Sequence, residues 1–325
     1  MCGFLVVGSS ELELQVFNDA LNQAAYRGPD HQHVSINNGI TWGFNRLSIM
    51  DLSSKGNQPF VYKDCVLVCN GEVYNYHSLK AMLETDYTFK SGSDCEVLIP
   101  LYHKYGIEIL CKFLDAEFAM VIYDAKKDKI LAARDPMGIR PMFYGYHKED
   151  GKICFASEAK GLFPLCQEIM PFPPGHYYED GKFICYNDLS NPKTINNDDL
   201  ETIAINLRLK LEKAVEKRLQ SDAPIGYLLS GGLDSSLVCA IAARLNDQPI
   251  KTFAIGMDID PIDLKYAKQV ADYLGTDHTE VIMTKEDLLE NLRDVIFHLE
   301  TYDITTIRAS MAMYLLCKYI HEKTD

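Results

Sequence analysis

Between Asn187 and Asp199 the chain reads NDLSNPKTINNDD, a polar run without apolar periodicity, and the patterns on its two sides demand different folds. Before it, FLVVG, ITWGFNRLSIM, CVLVCNGEVY, FAMVIYDAKKDKILAAR and KICFASEA are short apolar or alternating runs bounded by Gly, Asn and Asp, which is how strands read. Glu13 to Ala25 and Cys95 to Phe113 instead carry apolar residues at three and four spacing, so helices are expected to cover a sheet or sandwich. After the polar run, a helix is predicted with Leu200, Ile203, Leu207, Leu211, Val215 and Leu219 on one stripe. PIGYLL, KTFAIGM and HTEVIM then alternate with helices over Ser235–Leu245, Asp263–Leu274 and Glu286–Leu299, the signature of a parallel sheet with helical crossovers. The expected organisation is a domain over 2–187, a linker over 188–199 and a second domain over 200–325.

At 325 residues, 47% hydrophobic and 24% charged, the chain can bury two ordinary cores. A formal charge of −14 argues against a general nucleic-acid or anionic-membrane surface. No apolar run reaches a membrane span and no signal-peptide pattern opens the chain, so a cytoplasmic protein is expected. The ten cysteines are scattered, with no CxxC pair and no zinc spacing, and are expected to be reduced thiols.

Two stretches carry chemistry. MCGF places Cys2 behind the initiator methionine, whose removal would leave a thiol nucleophile and a free α-amine base on one residue. Cys2 could equally be an apolar residue opening the first strand. In the second half, Ser230-Gly231-Gly232-Leu233-Asp234-Ser235-Ser236 follows a buried-type strand and opens a helix, so backbone N–H groups converge where a phosphate would sit. The glycines allow close approach, the serines donate, and Asp234 could hold magnesium against phosphates; the alternative is a Gly-rich turn with a Ser/Asp cap. It is not a Walker A loop, since GK[ST] is absent.

This loop resembles the pyrophosphate loop of the ATP pyrophosphatases. MCGF, RGPD (Arg27 to Asp30), RLSIMD (Arg46 to Asp51), NGEVYN (Asn70 to Asn75) and SGSDCE (Ser91 to Glu96) resemble, in order, the motifs of class II glutamine amidotransferases. HLETYDITTIRAS (His298 to Ser310) resembles the acceptor segment of glutamine-hydrolysing asparagine synthetases, so the resemblance to that family covers nearly the whole chain. It implies an α+β N-terminal-nucleophile domain, an αββα sandwich, followed by an α/β parallel-sheet nucleotide-binding domain. It further implies a carbon–nitrogen ligase that takes ammonia from glutamine to attack β-aspartyl-AMP, with ATP and Mg2+ as cofactors and AMP and pyrophosphate as products. Ammonia would move through the interior, no nucleic acid or membrane partner is implied, and a homodimer is left open.

Carried over residue by residue, the resemblance makes Cys2 the nucleophile and the Asn70 amide with the Gly71 N–H the oxyanion hole. It assigns glutamine binding to Arg46, Leu47, Ser48, Ile49, Met50, Asn70, Gly71, Glu72 and Asp94. Arg46 would clamp the α-carboxylate bidentately, and Glu72 and Asp94 the α-ammonium. The ATP site would comprise Leu228, Ser230, Gly231, Gly232, Asp234, Ser235, Ser236 and Ile255, with Asp234 on the metal, and the acceptor site Thr305, Thr306 and Arg308. Each has a plain competitor: Arg46 a surface charge, Asn70-Gly71 a hairpin turn, Asp94 an N-cap, Leu228 and Ile255 strand core, TTIR a helix start.

Two positions beside the expected glutamine pocket depart from the family pattern: Tyr26 stands where His usually precedes RGPD, and Asn45 where Glu is common. The sequence also stops at MYLLCKYIHEKTD, before the Gly-Glu-Gly acidic loop that completes the family's ATP and magnesium site, so a fragment or truncated product with weak or absent adenylation is expected. Three alternatives stand beside the synthetase: a glutaminase alone, an amidotransferase with another carboxylate acceptor, and a non-catalytic partner that binds glutamine or ATP.

Overall fold

The computed structural model describes residues 1–9, 11–192 and 194–324; Lys193, in the expected linker, and Asp325, at the expected end of the second domain, lie outside the described residues. The chain forms two compact units, Met1–Asn196 and Asn197–Asp325.

The first unit runs β1 (Gly3–Val7), α1 (Leu14–Asn22), β2 (His31–Asn37), β3 (Ile40–Arg46), β4 (Phe60–Tyr62), β5 (Cys65–Val73), α2 (Tyr76–Leu83), α3 (Leu98–Phe113) and β6 (Ala116–Asp124). It continues through β7 (Lys129–Arg134), β8 (Phe143–His147), β9 (Ile153–Ala156), β10 (Cys166–Pro171), β11 (His176–Glu179) and β12 (Lys182–Cys185). These strands build two six-stranded antiparallel sheets, ordered β10-β8-β9-β1-β3-β2 and β12-β11-β7-β6-β5-β4. Phe4, Val6, Trp42, Phe44 and Phe155 of the first sheet pack against Val66, Val68, Val121 and Ala132 of the second. The outer face of the second sheet, with Leu67 and Cys69, is closed by Leu98, Leu101 and Leu110 of α3. Leu5 and Val7 on the outer face of the first meet Phe17 and Leu21 of α1. The architecture is therefore αββα. Strand β1 is buried on both faces, which is why FLVV is a continuous rather than alternating apolar run.

The helix expected from Cys95 to Phe113 is interrupted. A single 3-10 turn covers Asp94–Val97, and Gly106 breaks α3 at φ +80, a backbone state that costs glycine little and other residues much. Apolar spacing survives such a break because both halves face the same core.

The second unit runs α4 (Leu200–Glu216), β13 (Gly226–Leu228), α5 (Leu233–Leu245), β14 (Lys251–Met257), α6 (Ile262–Leu274), β15 (Asp277–Met283), α7 (Lys285–Leu299) and α8 (Ile304–Lys323). Its three strands are parallel, ordered β13-β14-β15. Val215, Leu229, Cys239, Ala242, Ala254, Leu264, Ala267 and Ala271 form its core. The stripe expected on α4 is largely not buried within this unit: Leu200 is 82% and Leu207 63% exposed, while Val215 reaches the core and Leu219, in the 3-10 turn after α4, packs against it. Amphipathic spacing marks the face a helix can bury, whereas burial needs a covering element, and within the unit only the last turns of α4 have one.

Trp42 is the sole tryptophan and is fully buried between the two sheets, so its emission reports the first unit alone. Phe155→Ala should remove about 3–5 kcal/mol from that unit by opening a cavity beside it. Urea unfolding followed by Trp42 emission checks this, and an unchanged midpoint would show that the inter-sheet core does not carry the unit.

Candidate active site

Cys2 immediately precedes β1, so the central strand of the first sheet delivers it to the end of the sandwich. Its thiol is half-buried and held by one residue: the Leu47 N–H donates to Sγ at 3.4 Å, and Sγ–H reaches the Leu47 carbonyl at 3.5 Å. The RGPD turn sets that position, because the Asp30 N–H donates to the Arg46 carbonyl and the Ser48 N–H to Asp30 Oδ2. Burial pushes the Cys2 thiol up, while the Leu47 N–H draws it back.

Beside the thiol, burial lowers the terminal amine of Met1 from 8.0 to about 6, and the guanidinium charges of Arg27 and Arg140 add to the effect. Arg27 also donates through Nε to the Cys2 carbonyl at 2.9 Å and pairs through Nη1 with Glu158 at 3.0 Å. Glu158 in turn accepts the Tyr26 hydroxyl at 2.5 Å and the Lys160 ammonium at 2.8 Å. Glu158 and Lys160 were not found by sequence reasoning; they lie over 130 residues along the chain from Tyr26, and only the pairing of β9 with β1 brings them here. Tyr26 is thus built into a charge network. Asn45 differs from expectation, since its side chain donates to the Leu21 carbonyl and accepts from Gln32, facing the α1 layer rather than a pocket.

Asn70 and Gly71 are not a hairpin turn. They lie within β5, opposite Ala119 and Phe118 of β6. Asn70 projects toward the inter-sheet face shared with Cys2, is 1% exposed, and its Nδ2 has no hydrogen-bond partner. A buried amide donor left unpaired costs about 1–3 kcal/mol, so a group that accepts from it gains by that amount when it binds. Asp94 is not an N-cap either: its Oδ2 accepts the Val73 N–H at 2.6 Å, tying the 3-10 turn to the end of β5. Burial raises Glu72 to about 8, with the Asp94 carboxylate next in effect, and burial likewise raises Asp94. Two carboxylates held together in this way are a site for a cation.

Arg46 is buried but committed. Nη1 donates to the Ser53 carbonyl and Asn57 Oδ1, both at 2.7 Å, and Nη2 to the Met50 and Asp51 carbonyls. Four of the five donors of a guanidinium are therefore spent on the 50–57 loop, leaving Nε–H; a bidentate clamp on a ligand would require the loop to release one nitrogen. Leu47, Ser48, Ile49 and Met50 join Arg46 to that loop.

In the second unit, Leu228 ends β13, Ile255 lies on the neighbouring β14, and the Ser230–Ser236 loop turns from the carboxyl end of β13 into α5, where ligands of parallel sheets collect. Gly231 has φ +77, and a Cβ there would stand 2.5 Å from the backbone of Tyr266 and Ala267. The α5 N-terminus has no side-chain cap, and the buried Ser236 Oγ has no partner. Unsatisfied donors at a helix N-terminus fit a phosphate. Asp234 lies in the first turn of α5. Thr305, Thr306 and Arg308 lie in the first two turns of α8, where Asp303 caps the helix by accepting the Thr306 N–H at 2.7 Å. All ten cysteines are free, and among the described residues no helix is long and apolar enough to cross a membrane and no group of three His, Cys, Asp or Glu could hold a metal ion.

Residues 1–174 match the family of glutamine amidotransferase domains and residues 206–324 the asparagine synthase family. The chain is 42% identical over 314 residues to asparagine synthetase B [glutamine-hydrolyzing] of Escherichia coli, covering 91% of this chain and 56% of that protein. It is 41% identical over 338 residues to the Zea mays asparagine synthetase, covering 98% and 56%, and 40% over 362 residues to that of Gallus gallus, covering 100% and 64%. The chain thus spans between 56% and 64% of the length of these relatives.

Asp94→Asn should lower the titration midpoint of Glu72 from about 8 toward the ordinary carboxylate range. Carboxyl-carbon NMR of labelled protein measures it, and an unmoved midpoint would show that the two carboxylates do not share a field.

Proposed function

Because the chain belongs to the family of glutamine-hydrolysing asparagine synthetases, we propose that its first unit hydrolyses glutamine at Cys2 and that its second uses the ammonia and ATP to convert aspartate to asparagine. The observation that carries the reading is the Cys2 thiol, seated on the Leu47 N–H at the end of β1, with the orphaned Asn70 amide facing the same inter-sheet layer.

Removal of Met1 hands the buried amine position to Cys2. Burial, the main cause of the lowered Met1 amine, and the Arg27 and Arg140 guanidinium charges favour a neutral amine in these surroundings, and the Cys2 amine takes the thiol proton. The thiolate sulfur attacks the side-chain amide carbon of glutamine. Asn70 Nδ2 and the Gly71 N–H hold the oxygen as it takes up charge. The amine returns its proton to the leaving nitrogen, ammonia departs, and water hydrolyses the thioester to glutamate. The substrate's α-ammonium lies between Glu72 and Asp94, and Arg46 holds the 47–57 loop over the pocket with Nε–H toward the α-carboxylate.

In the second unit, Ser230, Gly231, Gly232, Ser235 and Ser236 cradle the pyrophosphate of ATP at the α5 N-terminus, with Leu228 and Ile255 against the adenine. Asp234 would hold a magnesium ion, which supplies charge neutralisation on the phosphates. Thr305, Thr306 and Arg308 orient aspartate, whose β-carboxylate is adenylated before ammonia attacks it.

Two measurements test this. Glutamate release from glutamine should proceed without ATP, fall to background in Cys2→Ala and persist in Asp234→Asn, while in a chain extended to the length of its relatives Asp234→Asn abolishes aspartate-dependent pyrophosphate release. Equal glutamate release by Cys2→Ala and wild type would overturn the reading. The pH dependence has a definite sign: Glu72 is held protonated up to about 8, and an α-ammonium favours its ionised form. The KM for glutamine should therefore fall as pH rises through about 8, and this slope should flatten in Glu72→Gln. A KM that rises over that range would show that the carboxylates do not bind the ammonium.

A further inference from the structure

Strand β5 pairs with β6 through its even-numbered residues, as the bonds from the Ala125 N–H to the Asp64 carbonyl at 2.8 Å and from the Tyr74 N–H to the Asp115 carbonyl at 2.9 Å show at its two ends. Hydrogen-bonded pairs alternate along an antiparallel ladder, so the backbone groups of Cys65, Leu67, Cys69, Gly71 and Val73 point to the opposite edge. There β4 pairs with the first two, Tyr62 against Cys65 and Phe60 against Leu67. In the same register residue 58 would face Cys69 and residue 56 would face Gly71. The backbone of residue 58 does not continue the ladder, but its side chain does. The Cys69 N–H donates to Gln58 Oε1 at 2.6 Å, and Gln58 Nε2 donates to the Cys69 carbonyl at 3.0 Å. Gln58 is 6% exposed. One primary amide therefore reproduces both bonds of a backbone pair, from a chain that has already turned away. Gly56, which would come next, stands against the Arg46 guanidinium instead. Past Cys69, the Gly71 carbonyl accepts the Cys95 thiol at 3.4 Å and the Val73 N–H goes to Asp94. The Gly71 N–H is the group on this edge that the substituted ladder leaves facing the space β4 vacates.

We infer that Gln58 is a positioning residue of the oxyanion hole: its amide stands in for a β4 residue opposite Cys69, ends the β4–β5 ladder one pair short, and so presents the Gly71 N–H to the substrate oxygen. The inference rests on the proposed glutaminase reading. Without the amide, either β4 closes on β5 and covers that N–H, or the edge is left with two unpaired groups at Cys69 and the strand shifts. Displacing a preorganised donor costs the tetrahedral intermediate and not the ground state.

Gln58→Glu keeps the size and the acceptor but sets a carboxylate oxygen against the Cys69 carbonyl. It should lower kcat for glutamine hydrolysis about 10- to 100-fold with KM nearly unchanged. An aldehyde analogue of glutamine should lose affinity by the same factor, because thiol addition forms a carbon–sulfur bond and leaves the former carbonyl oxygen in the hole. The rate of Cys2 alkylation by iodoacetamide should not change, since displacement of iodide develops no oxyanion. Trp42 emission reports folding, and if Gln58→Glu does not fold, Gln58→Asn, which withdraws the amide by one methylene, should show the same split. Unchanged kcat in a folded Gln58 variant, or equal losses of kcat and alkylation rate, would overturn the inference; failure of wild type to release glutamate would overturn the glutaminase reading instead.

Discussion

A buried backbone N–H or carbonyl without a partner costs about 1–3 kcal/mol, so wherever a sheet edge is buried something must take up its groups. Strand β5 meets this constraint in an unusual sequence along one edge: backbone at Cys65 and Leu67, the Gln58 amide at Cys69, and the Asp94 carboxylate at Val73. Each substitute partner comes from a different segment of the chain. The 50–57 loop, the 3-10 turn at Asp94–Val97 and the end of β5 are consequently fixed relative to one another, and Asn70 and Gly71 fall between them. Arg46 reinforces the arrangement by gathering carbonyls at Met50, Asp51 and Ser53, while Asp51 accepts the Gly92 N–H at 2.7 Å and joins the loop to the SGSD segment.

Charge is concentrated at the same end of the sandwich. Glu72, Asp94, Glu117, Glu158, Arg27, Arg140 and Lys160 surround the Cys2 end of β1, several of them nearly inaccessible. Ion pairs at Arg27–Glu158 and Arg140–Glu117 satisfy part of this set. Replacing such pairs by apolar residues often leaves stability unchanged or improves it, so their presence points to the field they create. Burial does most to lower the terminal amine and to raise Glu72, and the neighbouring charges add to it: Arg27 and Arg140 at the amine, Asp94 at Glu72.

The second unit works by geometry more than charge. Parallel strands put β13 and the start of α5 at one edge of a small sheet, and the helix N-terminus with its uncapped N–H groups is formed as soon as the β-loop-α unit folds. That loop is local in sequence, which is why SGGLDSS could be read directly, whereas the surroundings of Cys2 draw on residues as far along the chain as Lys160.

Much was therefore legible in the residues alone. The strand runs, the change of texture at Asn187, the parallel alternation beyond it and the order of the five motifs follow from local periodicity and residue type, because strand faces, turns and phosphate loops are decided by a few neighbouring residues. Gln58, Glu158 and Lys160 carried no comparable signal. A glutamine before proline reads as loop, and a glutamate after a strand reads as surface, until the ladder registers show which backbone each one faces. The positions open to two readings share the same origin: the α4 stripe marked a face that the unit leaves mostly exposed, Asn70-Gly71 admitted a hairpin turn and Asp94 admitted a cap. Periodicity states what a segment can bury or bond, and only strand pairing across long stretches of chain determines what it meets.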